Sequence, residues 1–240
     1  MHLNTIEKLE WDSGFFGYPV ASINLDRDGH DRLDDIFKHI ASEKFRLTYF
    51  FVPPAEEELN KRIAERGALL IDQKTEYTKK TEKYDQFASQ IIEFQAVEIN
   101  KNLTDLALQA GLYSRFRMDK NFMNCEFERL YIEWITKSIK KIIAFKTLIV
   151  EKDSEIIGIT TLGKKHDYAN IGLVAIDDKC RGQGIGCDLI HAADNIAFDM
   201  GFKEIKVVTQ FQNKGGCRLY EKCGFRVEKI TNVYHYWLLV

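Results

Sequence analysis

The run Asp178-Lys-Cys-Arg-Gly-Gln-Gly-Ile-Gly186, set between an apolar stretch and an amphipathic one, constrains this chain more than any other feature. Glycines at 182, 184 and 186 remove the side chains that would hold an anion off the backbone. Downstream, Ile185, Leu189, Ala193, Ile196 and Met200 fall on one helical face, and Asp188, His191, Asn195 and Asp199 on the other. The spacing predicts a helix that Gly201 ends with a left-handed cap, and an exposed, inert His191. Upstream, Ile171-Gly-Leu-Val-Ala-Ile176 reads as a buried strand. Strand, basic glycine loop and helix N-terminus together form an anion cradle, because unpaired N–H groups and the positive end of the helix dipole meet at one point.

Two common phosphate loops do not fit. A Walker loop needs Gly-x-x-x-x-Gly-Lys-Ser/Thr, and a Rossmann loop needs a third glycine where Cys187 stands. Arg181-x-x-Gly184-x-Gly186 does fit a known pattern, and the run after it extends the match: a strand-like 204–209, Asn213, a short helix bearing Tyr220, then Cys223-Gly-Phe225. This combination resembles the GCN5-related N-acetyltransferases (GNAT). A structural turn before an ordinary helix would account for the loop alone, but not for the loop and the downstream run together.

The resemblance implies an α/β (α+β) fold, a mixed, mostly antiparallel central sheet flanked by helices. It implies acetyl-CoA as co-substrate, its pyrophosphate on Arg181, Gly182, Gln183, Gly184, Ile185 and Gly186, and its pantetheine arm against Asn213. Backbone N–H groups of Leu173, Val174 and Ala175 would polarise the thioester carbonyl. Tyr220 would be the catalytic acid for the leaving thiolate, against the plainer reading of a core aromatic.

Composition bounds the rest. Hydrophobic residues make up 45% and charged residues 29% of the 240, an ordinary globular balance. A net charge of −2 gives no global field for nucleic acid or an acidic membrane. Positive charge must therefore be local, and Lys179, Arg181, Lys214, Arg218 and Lys222 cluster around the loop. No apolar run approaches the roughly 20 residues of a membrane span. The charged N-terminal stretch does not read as a signal peptide. Five cysteines without framework spacing suggest free thiols and a reducing, cytoplasmic setting, and neither their spacing nor the histidines suggest a metal site. A homodimer is compatible with the sequence.

Along the chain, Leu9–Gly17 reads as a strand and turn tucking Trp11, Phe15 and Phe16 into a core. A strand, a helix at 33–41, a strand at 45–52, a helix at 56–66 and two strand-like pieces within 68–80 follow. This order echoes the C-terminal end, so the N-terminal part is expected to be a degenerate half of the same fold, without a cofactor site. The charged stretch 79–90 is the expected boundary, giving an N-terminal domain at 1–88 and a catalytic domain at 89–240 that starts with a strand near 94–99. Helices centred on Leu106 and Leu130 and three strands then lead to the glycine loop, with 112–122 as an irregular loop and two strands at the C-terminal end.

Trp11-x-x-x-Phe-Phe-Gly17, Ser114-Arg-Phe-Arg117 and Thr209-Gln-x-x-Asn213 resemble more narrowly the bacterial acetyltransferases of TDP-linked aminosugars such as TDP-fucosamine. That implies a sugar-nucleotide amine as acceptor, for surface polysaccharide synthesis. Arg115 and Arg117 are the candidate substrate-binding residues, since a planar guanidinium suits a diphosphate, although two solvated surface charges would look the same. Asp72, Glu76, His166 and Asp167 are the groups considered as general base, and none is assigned. An acetyltransferase of a polyamine, antibiotic or protein N-terminus, and a non-enzymatic acyl-CoA-binding module, stay open as alternatives.

Overall fold

The structure, a computed structural model, describes residues 6–238; the first five residues, part of the N-terminal reading above, and the last two lie outside them. The chain forms two compact units. One runs to Thr75 and takes back the segment from Lys229; the other is Glu76–Glu228. Residues 76–88 therefore pack with the second unit, and those from Lys229 with the first, unlike the expected division at 88.

In the first unit, β1 (Glu7–Lys8), β2 (Val20–Asn24), β3 (Leu47–Val52) and the later part of β10 (Arg226–Trp237) are successive neighbours in a sheet. β2 and β3 run parallel, and helices α2 (Leu33–Ser42) and α3 (Glu57–Glu65) pack their apolar faces into a core with Ile23, Phe50 and Val52. The expected strand at Leu9–Gly17 is instead a helix, α1 (Glu10–Phe16). Ser13 Oγ donates to Leu9 O at 2.7 Å and accepts from Val20 N–H at 2.9 Å, which ties the helix to the strand that follows. Gly17, at φ 79°, closes it. Phe16 is buried, whereas Trp11 stays 44% exposed and stacks on Phe15.

In the second unit the sheet order is β9 (Glu204–Gln210), β8 (Tyr168–Ile176), β7 (Glu155–Lys165), β6 (Lys146–Lys152), β5 (Ile91–Glu93). All these pairs are antiparallel except β8 with β9. Helices α4 (Lys101–Ala110), α5 (Arg115–Met118), α6 (Glu126–Ile139), α7 (Ile185–Asp199) and α8 (Lys214–Lys222) complete it. Residues 94–99 are not a strand; the paired segment lies earlier, at β5. The supposed irregular loop carries α5, because Phe116 buries itself against Phe122 and Trp134. The two strand-like pieces at 68–80 form one strand, β4 (Leu69–Lys80), and the two final strands are one, β10. Element orders β2-α2-β3-α3-β4 and β8-α7-β9-α8-β10 are the same, each with a parallel first pair.

The stretch at 79–89, within the expected domain boundary, straps across the polar face of α7. Asp188 accepts from Ser89 N–H at 2.8 Å, and Asp194 accepts from Glu82 N–H at 3.1 Å. Asn195 exchanges two bonds of 2.8 Å with the Tyr84 backbone. His191 is consequently half-buried, stacked on Tyr84 at 3.9 Å, and burial lowers its pKa; the expectation of an exposed histidine is corrected. Met200, expected on the apolar face, is 54% exposed, and Ile190 and Ala197 take that place in the core. The underside of the strap is held by Lys79, 5% exposed, whose Nζ lies 2.8 Å from the fully buried Asp194 carboxylate.

Candidate active site

Strands β8 and β9 start together and part. Their register covers Ala169–Ile171 against Ile205–Val207 and stops there, while β8 stays paired with β7 as far as Ile176. The β8 edge beyond Gly172 is thus open towards β9. A bulge opposite, at Thr161, explains Gly172: a Cβ there would lie 2.6 Å from Thr161 Oγ1. Thr161 Oγ1 also accepts the Leu173 N–H at 2.8 Å, so that N–H is committed within the protein. Val174 and Ala175 line a cavity of about 550 Å³; Leu173 does not.

At the end of β8 the chain makes a short turn over Asp178–Cys180, in which Asp177 accepts from Lys179 N–H, and enters the glycine loop. Gly182 and Gly184 stand at φ 79° and 88°, in the left-handed region, where an L side chain costs about 1–2 kcal/mol. Gly184 is the N-cap of α7 and has no side chain to offer, so no side-chain cap satisfies the first-turn N–H groups of that helix. Gly186 has a different reason: a Cβ there would press on Leu219 at 3.1 Å, so glycine lets α7 and α8 approach. Arg181 is anchored at two points, Nε to Ile176 O and Nη2 to Gln109 Oε1, both at 3.1 Å.

Asn213 opens α8, accepting from Gly216 N–H at 3.0 Å and donating to Thr209 Oγ1 at 3.1 Å. One amide proton is left for a ligand. Two turns further, Tyr220 is buried between Tyr77, with ring centroids 5.7 Å apart, and Phe225, 6.1 Å away. No protein group hydrogen-bonds its hydroxyl among the described residues. Burial, with the Cys217 and Cys223 thiols nearby, pushes its phenol above the ordinary range.

Of the sequence candidates, Val174, Ala175, Arg181, Gly182, Gly184, Ile185, Gly186, Asn213 and Tyr220 line this cavity. Leu173 and Gln183 do not, and neither do Arg115 and Arg117, whose guanidinium groups lie over the Phe116 and Phe127 rings at 4.8 and 5.2 Å. From the same loop, Leu112 and Tyr113 reach the cavity instead. Gln109, on the last turn of α4, carries no motif and is found only through its bond to Arg181. None of Asp72, Glu76, His166 and Asp167 lines the cavity; His166 and Asp167 form the exposed tip between β7 and β8. Arg181, Arg218 and Lys222 face the cavity, and no carboxylate does among the residues lining it. No group of three or more metal-ligating side chains occurs among the described residues, and no helix there is long and apolar enough to cross a membrane.

The acetyltransferase (GNAT) family model matches residues 113–225. The dTDP-fucosamine acetyltransferase of Escherichia coli O6:H1 is 30% identical over 138 residues, 57% of this chain and 57% of its own length. Streptothricin acetyltransferase of Escherichia coli is 30% identical over 100 residues, 35% of this chain and 58% of its own. The chain thus spans somewhat over half the length of these curated relatives. A GCN5-related N-acetyltransferase from Sphaerobacter thermophilus shares the fold, with a TM-score of 0.61 at 13% identity over 91% of this chain and 73% of that one.

Proposed function

We propose that this chain, whose residues 113–225 match the acetyltransferase (GNAT) family model, transfers the acetyl group of acetyl-CoA to a primary amine. One observation carries the reading: the uncapped N-terminus of α7, the open β8 edge and the unengaged Tyr220 hydroxyl converge on one cavity that cations line and carboxylates do not. Acetyl-CoA, when bound, supplies an activated thioester. The α7 first-turn N–H groups and Arg181 bind the diphosphate, Arg181 being held ready by Ile176 O and Gln109. The backbone N–H of Val174, on the β8 edge turned away from β7, stabilises charge on the carbonyl oxygen. Tyr220 gives its proton to the departing sulfur, and its raised pKa keeps that proton in place at neutral pH. With no carboxylate on the cavity wall, the acceptor amine reacts in the neutral form or loses its proton to water. The first unit, with Pro53-Pro54 where α8 has Asn213, takes no cofactor. A cytoplasmic location follows as part of the same reading.

The acceptor proposed is the amino group of a TDP-linked deoxysugar, destined for a surface polysaccharide. The likeness to dTDP-fucosamine acetyltransferase and the stretches Trp11–Gly17 and Ser114–Arg117 support it. Arg117 is exposed on α5, four residues after the cavity-lining Tyr113, where an acceptor diphosphate would dock outside the cofactor cavity. A charge-assisted contact there makes Arg115→Ala or Arg117→Ala raise the acceptor KM about ten- to a hundredfold. Acetyl-CoA affinity and kcat stay as they were. The competing reading, another amine, is favoured by the equal identity to streptothricin acetyltransferase. CoA release with a TDP-aminosugar, streptothricin, spermidine and a peptide N-terminus decides between them. Turnover of the last three without the first removes the sugar-nucleotide acceptor.

A further inference from the structure

Two of the three cations of α8, Arg218 and Lys222, have no charged partner among the described residues. Lys214, Arg218 and Lys222 recur at i, i+4 and i+8, a stripe of like charges on one face, and such pairs weaken a helix. Lys222 in the last turn is favoured by the helix dipole, but Arg218 in the middle is not. The single carboxylate of the helix, Glu221, accepts the Tyr77 hydroxyl at 3.0 Å. Arg218 and Lys222 form no ion pair among the described residues, and both face the cavity, whereas Lys214 turns its ammonium onto the Phe211 ring at 3.5 Å.

A diphosphate alone does not account for this charge. Its two anionic groups are already matched by the α7 first-turn N–H groups and by the doubly anchored Arg181. We infer that Arg218 and Lys222 form a second anion subsite that takes the phosphate monoester on the ribose of CoA, and that they make the protein select CoA over nucleotides lacking that group. The inference rests on acetyl-CoA as the ligand of this cavity. A phosphate monoester carries close to two charges at neutral pH and is matched by a guanidinium fork beside an ammonium.

Calorimetric titration of CoA and of dephospho-CoA, which lacks only the ribose phosphate, tests it directly. The wild-type protein binds CoA about tenfold or more tightly than dephospho-CoA. Arg218→Ala and Lys222→Ala each weaken CoA binding about five- to tenfold and leave dephospho-CoA binding unchanged, while Arg218→Lys, which keeps the charge but loses the fork, retains only part of the preference. Since Arg218 is exposed and repelled by its neighbours, the Tm of Arg218→Ala is no lower than that of the wild type. Equal wild-type affinity for the two ligands, or variants that weaken both alike, overturns the subsite and leaves acetyl-CoA binding standing. A wild-type protein that binds neither ligand overturns acetyl-CoA binding, and the subsite with it.

Discussion

Replacing Tyr220 by Phe is expected to lower turnover by about 10²–10⁴ while leaving acetyl-CoA affinity nearly unchanged. The substitution removes one oxygen and keeps the ring, so the contacts with Tyr77 and Phe225 persist. No protein hydrogen bond is lost either, since none reaches that hydroxyl among the described residues, and Tm should hold or rise slightly. What disappears is the proton that neutralises the leaving thiolate, a need that arises only in the transition state. The pH profile carries the same signature. Activity rises as the acceptor amine loses its proton, and because burial raises the Tyr220 pKa, no fall is expected below the ordinary phenol value of about 10. Steady-state kinetics beside calorimetry separate the two parameters, and near-normal turnover would reduce Tyr220 to a packing residue.

The second large effect lies in the support of α7. Asp194→Ala is expected to destabilise the protein by about 3–5 kcal/mol, because it takes the buried counter-charge from the Lys79 ammonium and leaves it the largely exposed Glu82, 3.2 Å away. It also removes the acceptor for Glu82 N–H. For a chain of this size that corresponds to a fall in Tm of about 6–20 °C. Lys79→Met combined with Asp194→Leu should recover most of the loss, as an apolar pair of similar volume often replaces a buried ion pair at little cost. The exposed pair Lys38–Asp35 gives the control: breaking it should leave Tm where it is. Thermal unfolding of the four proteins decides the matter. An Asp194→Ala protein with wild-type Tm would show that the strap contributes nothing to holding α7.

The glycine loop, α7 and α8 are legible in the sequence because each is specified locally: left-handed φ at Gly182 and Gly184, an Asn cap at 213 and a 3.6-residue apolar period. The parting of β8 from β9 carries no such local signal, since Gly172 meets the bulge at Thr161 of β7, on the other edge of the strand. What sequence reasoning misses depends on partners distant along the chain. Residues 79–89 are polar and charged, which reads as a domain boundary, yet their backbone N–H groups satisfy Asp188, Asp194 and Asn195 about a hundred residues away. The polar face of α7 is therefore a bonded surface, buried at Asp188 and Asp194. Leu9–Gly17 misleads because aromatic residues favour strands, whereas the Ser13 bonds and the Gly17 cap hold it helical. Arg115 and Arg117 follow a motif, but a motif does not tell which side of its loop meets the cavity; Leu112 and Tyr113 do.

The central claim is that the N-terminus of α7 holds one acetyl-CoA per chain, within residues 76–228. Calorimetric titration of acetyl-CoA into the wild-type protein and into Gly184→Val tests it most directly. One equivalent per chain is expected for the wild type. About a hundredfold or greater loss is expected for the variant, because a β-branched side chain both resists φ 88° and occupies the space before the uncapped N–H groups. Absence of wild-type binding, a second equivalent per chain, or a Gly184→Val protein that binds as tightly as the wild type would contradict it.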